Sequence, residues 1–175
     1  MDREEKDVVF CIDSSAFIRL HSFYGPELIP EIWEEFENLF NGDKILSHII
    51  VFEELTTSAK KQDNLSKWIT SKRQYFRNMT VTQAQYVSDI IRKFPNLIDQ
   101  NNEKDQADPW LISLVLEEKS QANLFTLERE YFVVSEESMK SPHRIPAVCQ
   151  HYGIAHLNLI DFFRFNGWKL KMEKI

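Results

Sequence analysis

Five apolar residues in succession, from Val8 to Ile12, end abruptly at the polar sequence Asp13-Ser14-Ser15. A short apolar run that is rich in β-branched and aromatic residues is typical of a strand buried on both faces of a parallel sheet. We therefore predict that this run is the first strand and that Asp13 follows its carboxyl end. In open parallel sheets, sites form at that end because the loops converge there.

Further short apolar runs alternate with helical patterns along the rest of the chain. Later strands are predicted at 44–47, 132–134 and 154–157. Helices are predicted at 16–24, 26–40, 48–60, 65–77, from 80 onward, 108–116, 145–152 and 158–166. In the helix from Thr80, the spacing predicts that an apolar stripe of Ala84, Val87, Ile91, Phe94 and Ile98 faces the core. This alternation indicates an α/β protein with three layers, α/β/α, around a short central parallel sheet.

Neither a repeat, a linker nor a low-complexity stretch divides the chain, so residues 1–175 are predicted to form one domain. The four glycines, all more than ten residues apart, exclude the glycine-rich phosphate loops and the G-x-S-x-G nucleophile turn. Two distant cysteines, Cys11 and Cys149, exclude a four-cysteine zinc site. We expect both to be buried thiols in a reducing compartment.

The cellular setting is predicted from charge and hydropathy. The chain begins with a charged segment, and no stretch approaches the ~18 apolar residues of a membrane-spanning helix. We therefore expect a soluble, cytoplasmic protein without a membrane partner. The net charge of −6 argues against extensive coating by nucleic acid, although it leaves local binding open.

Acidic residues occupy the positions from which side chains would reach the carboxyl end of the sheet. They are Asp13 after the first strand, Glu53 and Glu54 on the helix after the second, Asp108 at the start of an apolar helix, and Glu136 and Glu137 after a later strand. Glu53 and Glu54 point about 100° apart, and Glu54 lies nearer the buried face. Each position also has a structural interpretation: Asp13 and Asp108 suit helix N-caps, and Glu136 and Glu137 suit a solvated loop.

The combination of these acids favours a cation site. Two carboxylates ~4 Å apart repel each other by about 4 kcal/mol at an effective dielectric constant near 20, so converging acids need raised pKa values or a bound cation. Mg²⁺ and Mn²⁺ prefer carboxylate and water oxygens and can position a water for attack on a phosphodiester. The histidines match no zinc pattern, because His143, His151 and His156 are spaced by 8 and 5.

The order of these motifs resembles that of the PIN-domain nucleases over about residues 8 to 168. The segments that carry the resemblance are Val8-Val-Phe-Cys-Ile-Asp13-Ser14-Ser15, Val51-Phe-Glu-Glu54-Leu55, Ala107-Asp108-Pro-Trp-Leu-Ile112 and Phe132-Val-Val-Ser135-Glu136-Glu137. The chain is most similar to an uncharacterised bacterial branch, related to VapC-type toxins, in which the A-D-P-W segment and a later I-P-x-V-C segment recur. Here the latter is Ile145 to Cys149.

The resemblance implies an Mg²⁺- or Mn²⁺-dependent endoribonuclease of the kind found as toxins in toxin–antitoxin pairs. Asp13, Glu54, Asp108 and Glu137 would hold the metal, with Glu136 as the alternative to Glu137, because Ser135-Glu136-Glu137 replaces the family's T-x-D. Ser14 and Ser135 would support the ligands or a water by hydrogen bonds. The implied partners are RNA, an antitoxin protein and a second copy of the chain.

One segment is suited to binding single-stranded RNA. Residues 58–77 contain six cations but a single acid, with aromatic residues between them. The candidates are Lys67, Trp68, Lys72, Arg73 and Arg77, since cations bind phosphates and aromatic rings stack on unpaired bases. The alternative is a solvated helix whose aromatic residues face the core.

Two other functions compete with the nuclease. A binding or regulatory module would keep the fold without activity, as the departure at 135–137 and the negative charge suggest. A phosphate-transfer enzyme with Asp13 as nucleophile is disfavoured, because position 15 is Ser15 where such phosphatases need a second aspartate.

Overall fold

Five parallel strands form one sheet with helices around it. A computed structural model describes residues 7–57, 63–125 and 128–169. The strands are β1 (Asp7–Ile12), β2 (Ile45–His48), β3 (Phe76–Arg77), β4 (Arg129–Val134) and β5 (Ala155–Leu157). The helices are α1 (Ser14–Phe23), α2 (Pro30–Asn41), α3 (Ile49–Thr57), α4 (Asn64–Ser71), α5 (Val81–Lys93), α6 (Ala107–Leu124), α7 (Ile145–His151) and α8 (Leu159–Phe165). Short 3-10 helices cover Arg73–Tyr75 and Pro95–Leu97.

The strand order is β3-β2-β1-β4-β5, and all neighbouring strands run parallel. β1 is central: Cys11 lies beside Leu46 of β2 on one side and Val133 of β4 on the other. Because the strands are parallel, their carboxyl ends share one edge of the sheet. The predicted α/β class, with three layers around a parallel sheet, is confirmed.

The first strand is as buried as its composition predicts. Val9, Phe10, Cys11 and Ile12 are each at most 2% exposed. Both edges of β1 pair with neighbours, and both faces are covered, so no position calls for a polar side chain until the strand ends. Cys11 is a buried free thiol, and so is Cys149, as predicted.

Helix α6 runs through the core, as its nearly unbroken apolar sequence predicts. Leu111, Ile112, Leu114 and Val115 are at most 1% exposed, and the helix packs against β2 and β4. Its N-cap is Gln106, so the interpretation of Asp108 as the cap is wrong. Asp108 lies instead in the first turn. Within the described residues, no helix has the length and hydrophobicity to span a membrane.

Two sequence predictions are wrong because local periodicity did not reveal the tertiary environment. The helix predicted over 65–77 ends at Ser71, and Phe76–Arg77 instead form β3 beside β2. In α5 the buried positions are Gln83, Val87 and Ile90, so the predicted stripe is displaced from Ala84 and Ile91. Gln83 is buried because its amide is hydrogen-bonded on both sides, which a hydropathy pattern cannot show.

Candidate active site

Four carboxyl groups from four separate elements converge at the carboxyl edge of the sheet. Asp13 follows β1, Glu54 lies on α3, Asp108 begins α6 and Glu137 follows β4. Burial raises the pKa of Asp108 to about 8, and the charges of Asp13, Glu137 and Glu54 contribute to that rise. The convergence that the sequence predicts is therefore present in the fold.

Asp13 forms the buried base of this group. It is only 2% exposed, and its Oδ2 accepts hydrogen bonds from the backbone N–H and the hydroxyl of Ser15, so it caps α1 as the structural interpretation predicts. Its Oδ1 is also buried but has no hydrogen-bond partner among the described residues. Burial raises the pKa of Asp13, and the bonds from Ser15 partly oppose the rise. Oδ2 of Asp13 thus has a structural role, whereas Oδ1 has no partner in the described chain.

Glu54 is held in place by contacts from two other elements. Ser14 donates its hydroxyl to Oε2 at 2.7 Å, and the backbone N–H of Ala107 donates to Oε1 at 3.2 Å. Burial raises the pKa of Glu54, and the charge of Asp13 adds to the rise. The supporting role predicted for Ser14 is present as a direct bond to a candidate ligand.

Asp108 differs from the other acids because no hydrogen bond within the described chain reaches its carboxylate. Burial is the largest cause of its raised pKa, the nearby carboxylates come next, and Arg144 opposes them. A carboxyl group with a pKa of about 8 carries its proton for most of the time at neutral pH. A cation beside Asp108 would reverse this preference and release that proton.

Glu137 occupies the position that the sequence assigns to the fourth ligand. Its Oε2 accepts the backbone N–H of Ile145 at 2.9 Å, and its Oε1 lies 3.4 Å from Nη1 of Arg144. Burial raises the pKa of Glu137, and the charge of Asp13 contributes. The side chain therefore faces the other acids while it also anchors the start of α7.

The neighbouring residues Glu136 and Ser135 face elsewhere. Oε1 of Glu136 accepts the backbone N–H of Leu159 at 2.7 Å, and Oε2 lies 3.7 Å from Nε of Arg19. The hydroxyl of Ser135 pairs with Nε2 of His156 at 2.8 Å. Glu136 thus binds the first backbone N–H of α8, which favours Glu137 as the ligand. The Ser135 hydroxyl bonds none of the candidate ligands in the described chain, and its supporting role stays a prediction.

The acids open into a cleft of about 480 Å³. Glu54, Asp108 and Glu137 line it, and its outer wall includes the segment that precedes α6. Gln106 braces that wall, because its side-chain amide donates to the backbone carbonyl of Asp99 and accepts the Asp99 backbone N–H, both at 2.8 Å. The remaining lining residues are Asn96, Leu97, Ile98, Asn102, Ala107 and Arg144.

The aromatic part of the predicted RNA surface faces the protein interior. The Trp68 ring contacts Phe17, Trp33, Phe36 and Phe40, and its N–H donates to Glu37 at 2.7 Å. The prediction that Trp68 stacks on bases is therefore wrong, and the alternative of inward-facing aromatic residues is confirmed for it.

The basic side chains of that segment differ in whether they are already bonded to other residues. Lys72 is held by an ion pair with Glu37 and is mostly buried. Arg73 donates to the backbone carbonyl of Phe76 and to Asn78. Lys67 and Arg77 are exposed and stay candidate phosphate contacts.

Two residues that sequence reasoning missed belong to the site. The Ser15 hydroxyl donates to Asp13 and accepts the backbone N–H of Glu136, so it joins the ends of β1 and β4. Arg144 brings a positive charge into the acidic cleft. The position of Ser15, two residues after a strand-end aspartate, could have identified it as a site residue. Nothing in the local sequence distinguishes Arg144.

The residues of the cleft fit a hard divalent cation in donor chemistry, although they do not form a finished cage. No three His, Cys, Asp or Glu side chains in the described ranges stand as a ready-made metal group. Mg²⁺ is usually bound through one or two carboxylates, with waters and substrate phosphates as its other ligands. The unpartnered Oδ1 of Asp13, near the unbonded carboxylate of Asp108, offers oxygen donors of that kind.

Comparison with protein families places the chain in one family. A family model with the description "Domain of unknown function (DUF4411)" matches residues 10–170, so the chain belongs to this family. No curated protein matches the chain significantly. The family description assigns no activity.

Proposed function

We propose that the protein is an Mg²⁺- or Mn²⁺-dependent endoribonuclease of the PIN-domain type. The observation that carries the proposal is the convergence of Glu54, Asp108 and Glu137 on one cleft, beside Asp13, whose charge raises the pKa of Asp108 and whose buried Oδ1 has no partner among the described residues. Buried polar atoms are nearly always hydrogen-bonded in native proteins. An unpaired carboxylate oxygen among other acids therefore supports a positive ligand.

The energetics favour a cation over neutral acids alone. Burial raises the pKa of Asp108 to about 8, and the charges of Asp13, Glu137 and Glu54 add to the rise, so this carboxyl group favours its protonated form at neutral pH. A divalent cation would stabilise the ionised forms of all four carboxyl groups at once, because its attraction to each carboxylate offsets the repulsion between them. Oxygen donors select Mg²⁺ or Mn²⁺ over softer metals.

Each residue of the site has a role that its contacts support. Asp13 and Asp108 would hold the cation through their free oxygens, and Glu54 and Glu137 would complete the set directly or through waters. When bound, the cation supplies a positioned water and offsets negative charge on the reacting phosphate. Ser14 and Ser15 keep Glu54 and Asp13 in fixed orientations, which spares the site reorganisation during the reaction.

The resemblance to PIN-domain nucleases supports RNA as the substrate. It also supports three further parts of the proposal: a role as the toxin of a toxin–antitoxin pair, assembly as a homodimer, and action in the cytoplasm. Lys67 and Arg77 would then bind the RNA backbone outside the cleft.

A binding module without catalysis is the second candidate. It is favoured by the incomplete metal cage in the described residues and by the bonds that already occupy Glu137. Such a module would bind its ligand without cutting RNA.

Cleavage of a mixed RNA pool in Mn²⁺ separates the two. We expect the parent chain to cut RNA, and Asp13→Asn and Asp108→Asn to lose at least about a hundredfold in rate, because each removes a charge that holds the cation. Asp161→Asn, at a half-exposed position of α8, is the matched control and should cut like the parent. Equal cutting of RNA by all four proteins would point to a contaminating nuclease. A parent chain that binds Mn²⁺ but does not cut RNA would establish the binding module.

A further inference from the structure

Arg144 is the one positive side chain that lines the acidic cleft in the part of the chain described here. It precedes α7 directly and stands beside Glu137. Its Nη1 lies 3.4 Å from Oε1 of Glu137, beyond the 2.7–2.9 Å that is usual for strong charge-assisted hydrogen bonds. With 54% of its side chain exposed, the guanidinium is only loosely held.

The cleft presents an electrostatic problem to any nucleic acid. Each RNA phosphate is negative, and Glu54, Asp108 and Glu137 line the space that it would enter. Even a divalent cation balances only two of the negative charges at the site. A further positive charge on the cleft wall would therefore favour entry of a phosphate, and a guanidinium suits phosphate because its planar donors match two phosphate oxygens.

We propose that Arg144 binds non-bridging phosphate oxygens of the RNA backbone in the cleft. This inference rests on the proposed function, since it assigns a substrate contact to the same site. The contact to Glu137 is long, and the Arg144 side of it is half-exposed, so the ion pair contributes little stability. Arg144 can therefore turn from Glu137 to a phosphate at small cost.

The rival role is structural, in which Arg144 only positions Glu137. The two roles predict opposite effects on cation binding. If Arg144 serves the substrate, its removal takes a positive charge away from the acids, and Mn²⁺ binds at least as tightly as before. If Arg144 positions Glu137, its removal weakens Mn²⁺ binding.

The test compares the parent chain with Arg144→Gln, Arg144→Lys and the control Arg164→Gln, which removes an exposed, ion-paired arginine on α8. The probe is a fluorescein-labelled, single-stranded RNA of mixed sequence, bound in Ca²⁺ over a range of salt concentrations. Calorimetry with Mn²⁺ alone and cleavage in Mn²⁺ complete the set.

We expect Arg144→Gln to weaken RNA binding about tenfold and to reduce the slope of log K against log salt by about 0.7, the value of one contact to single-stranded nucleic acid. Arg144→Lys should recover part of the affinity, Mn²⁺ binding should not weaken, and Arg164→Gln should match the parent. Unchanged RNA binding or weakened Mn²⁺ binding in Arg144→Gln overturns the inference. A parent chain that binds RNA without cutting it refutes the ribonuclease alone, and one that does neither refutes both.

Discussion

Two buried polar groups of this protein lie close to the carboxyl edge of the sheet, and they differ in one respect. In the first, which we name the amide network, the buried side chains of His48, Gln83 and Glu117 are hydrogen-bonded to one another, to Thr80 and to the backbone. In the second, the acid cluster of Asp13, Glu54, Asp108 and Glu137, polar oxygens lack partners. The difference distinguishes polar groups that are satisfied by the fold from groups that the proposed cation would satisfy.

The amide network has a single consistent arrangement of protons. Nδ1 of His48 accepts the backbone N–H of Ile50, so Nε2 carries the proton and donates to Oε1 of Gln83. Gln83 and Thr80 then donate to the two oxygens of Glu117, each at 2.7 Å. Burial lowers the pKa of His48 to about 4, which keeps the ring neutral at ordinary pH. Every group has a protein partner and needs no ligand.

The acid cluster has no such internal solution. Ser14, Ser15 and backbone N–H groups satisfy some of its oxygens, but a carboxylate can donate nothing to another carboxylate unless one is protonated. The comparison therefore predicts opposite responses to substitution. Loss of a member should destabilise the amide network, whereas loss of the Asp108 carboxyl group should stabilise the cation-free acid cluster.

The largest expected effect is in the amide network. Gln83→Ala leaves the Nε2–H of His48 and one oxygen of Glu117 buried without a partner, so we expect the free energy of unfolding to fall by about 2 to 4 kcal/mol. Urea denaturation measures this change. Gln85→Ala, exposed on the same helix, is the control and should have little effect. If Gln83→Ala lowered the free energy of unfolding by no more than the control does, the network would not stabilise the fold.

A cation should stabilise the protein through the acid cluster alone. At a Mn²⁺ concentration of one hundred times its Kd, we expect about 2.7 kcal/mol of added stability, and removal with a chelator should abolish it. Thermal unfolding with and without Mn²⁺ measures the effect. Asp13→Asn should lose the gain, while Asp161→Asn should retain it. Equal gains in both variants would place the cation elsewhere.

Asp108→Asn should stabilise the cation-free protein at pH 8 by about 1 to 3 kcal/mol, because the amide places no ionisable group beside the other acids. The folded pKa of about 8 exceeds the ordinary value of 3.8, so between these values the folded state holds a proton that the unfolded state has lost. Stability of the parent therefore falls as pH rises across that window.

The test of this prediction is denaturation of both proteins at several pH values. The variant should gain on the parent from pH 5 to pH 8, because asparagine does not titrate. A constant difference across the window would show that Asp108 is ionised throughout.

The smallest expected effect concerns support for Glu54. Ser14→Ala removes the hydroxyl that donates to Oε2, and we expect Mn²⁺ affinity to fall by about 0.5 to 1.5 kcal/mol, the net value of one hydrogen bond. Calorimetry measures the change. Ser22→Ala, exposed on the same helix, should bind Mn²⁺ like the parent. A gain in affinity would mean that Ser14 competes with the cation.

The sequence predicts the parts of this molecule that depend on local chemistry. The run from Val8 to Ile12 identifies the central strand, and the strand-end position of Asp13 follows from it. The apolar sequence after Asp108 identifies the central helix. These predictions succeed because a strand or helix that is buried on all sides has a nearly continuous apolar sequence.

What the sequence does not reveal depends on which surface each residue meets after folding. Trp68 sits in a basic segment, yet its ring packs on four aromatic residues that lie far from it in the sequence. Glu136 and Glu137 are adjacent, and only the placement of α7 and α8 decides which faces the cleft. Arg144 reaches the site through a loop with no pattern of its own.

The acid cluster spans positions 13 to 137, and its members come from four elements that meet only in the finished sheet. A ribosome-bound chain that has made β1, α3 and α6 but not β4 therefore has three of the acids and no Glu137 to complete the set. With the proposed function, the enzyme would therefore stay inactive during synthesis until β4 pairs with β1. Titration with Mn²⁺ would then measure the number of folded molecules, not the number of polypeptide chains.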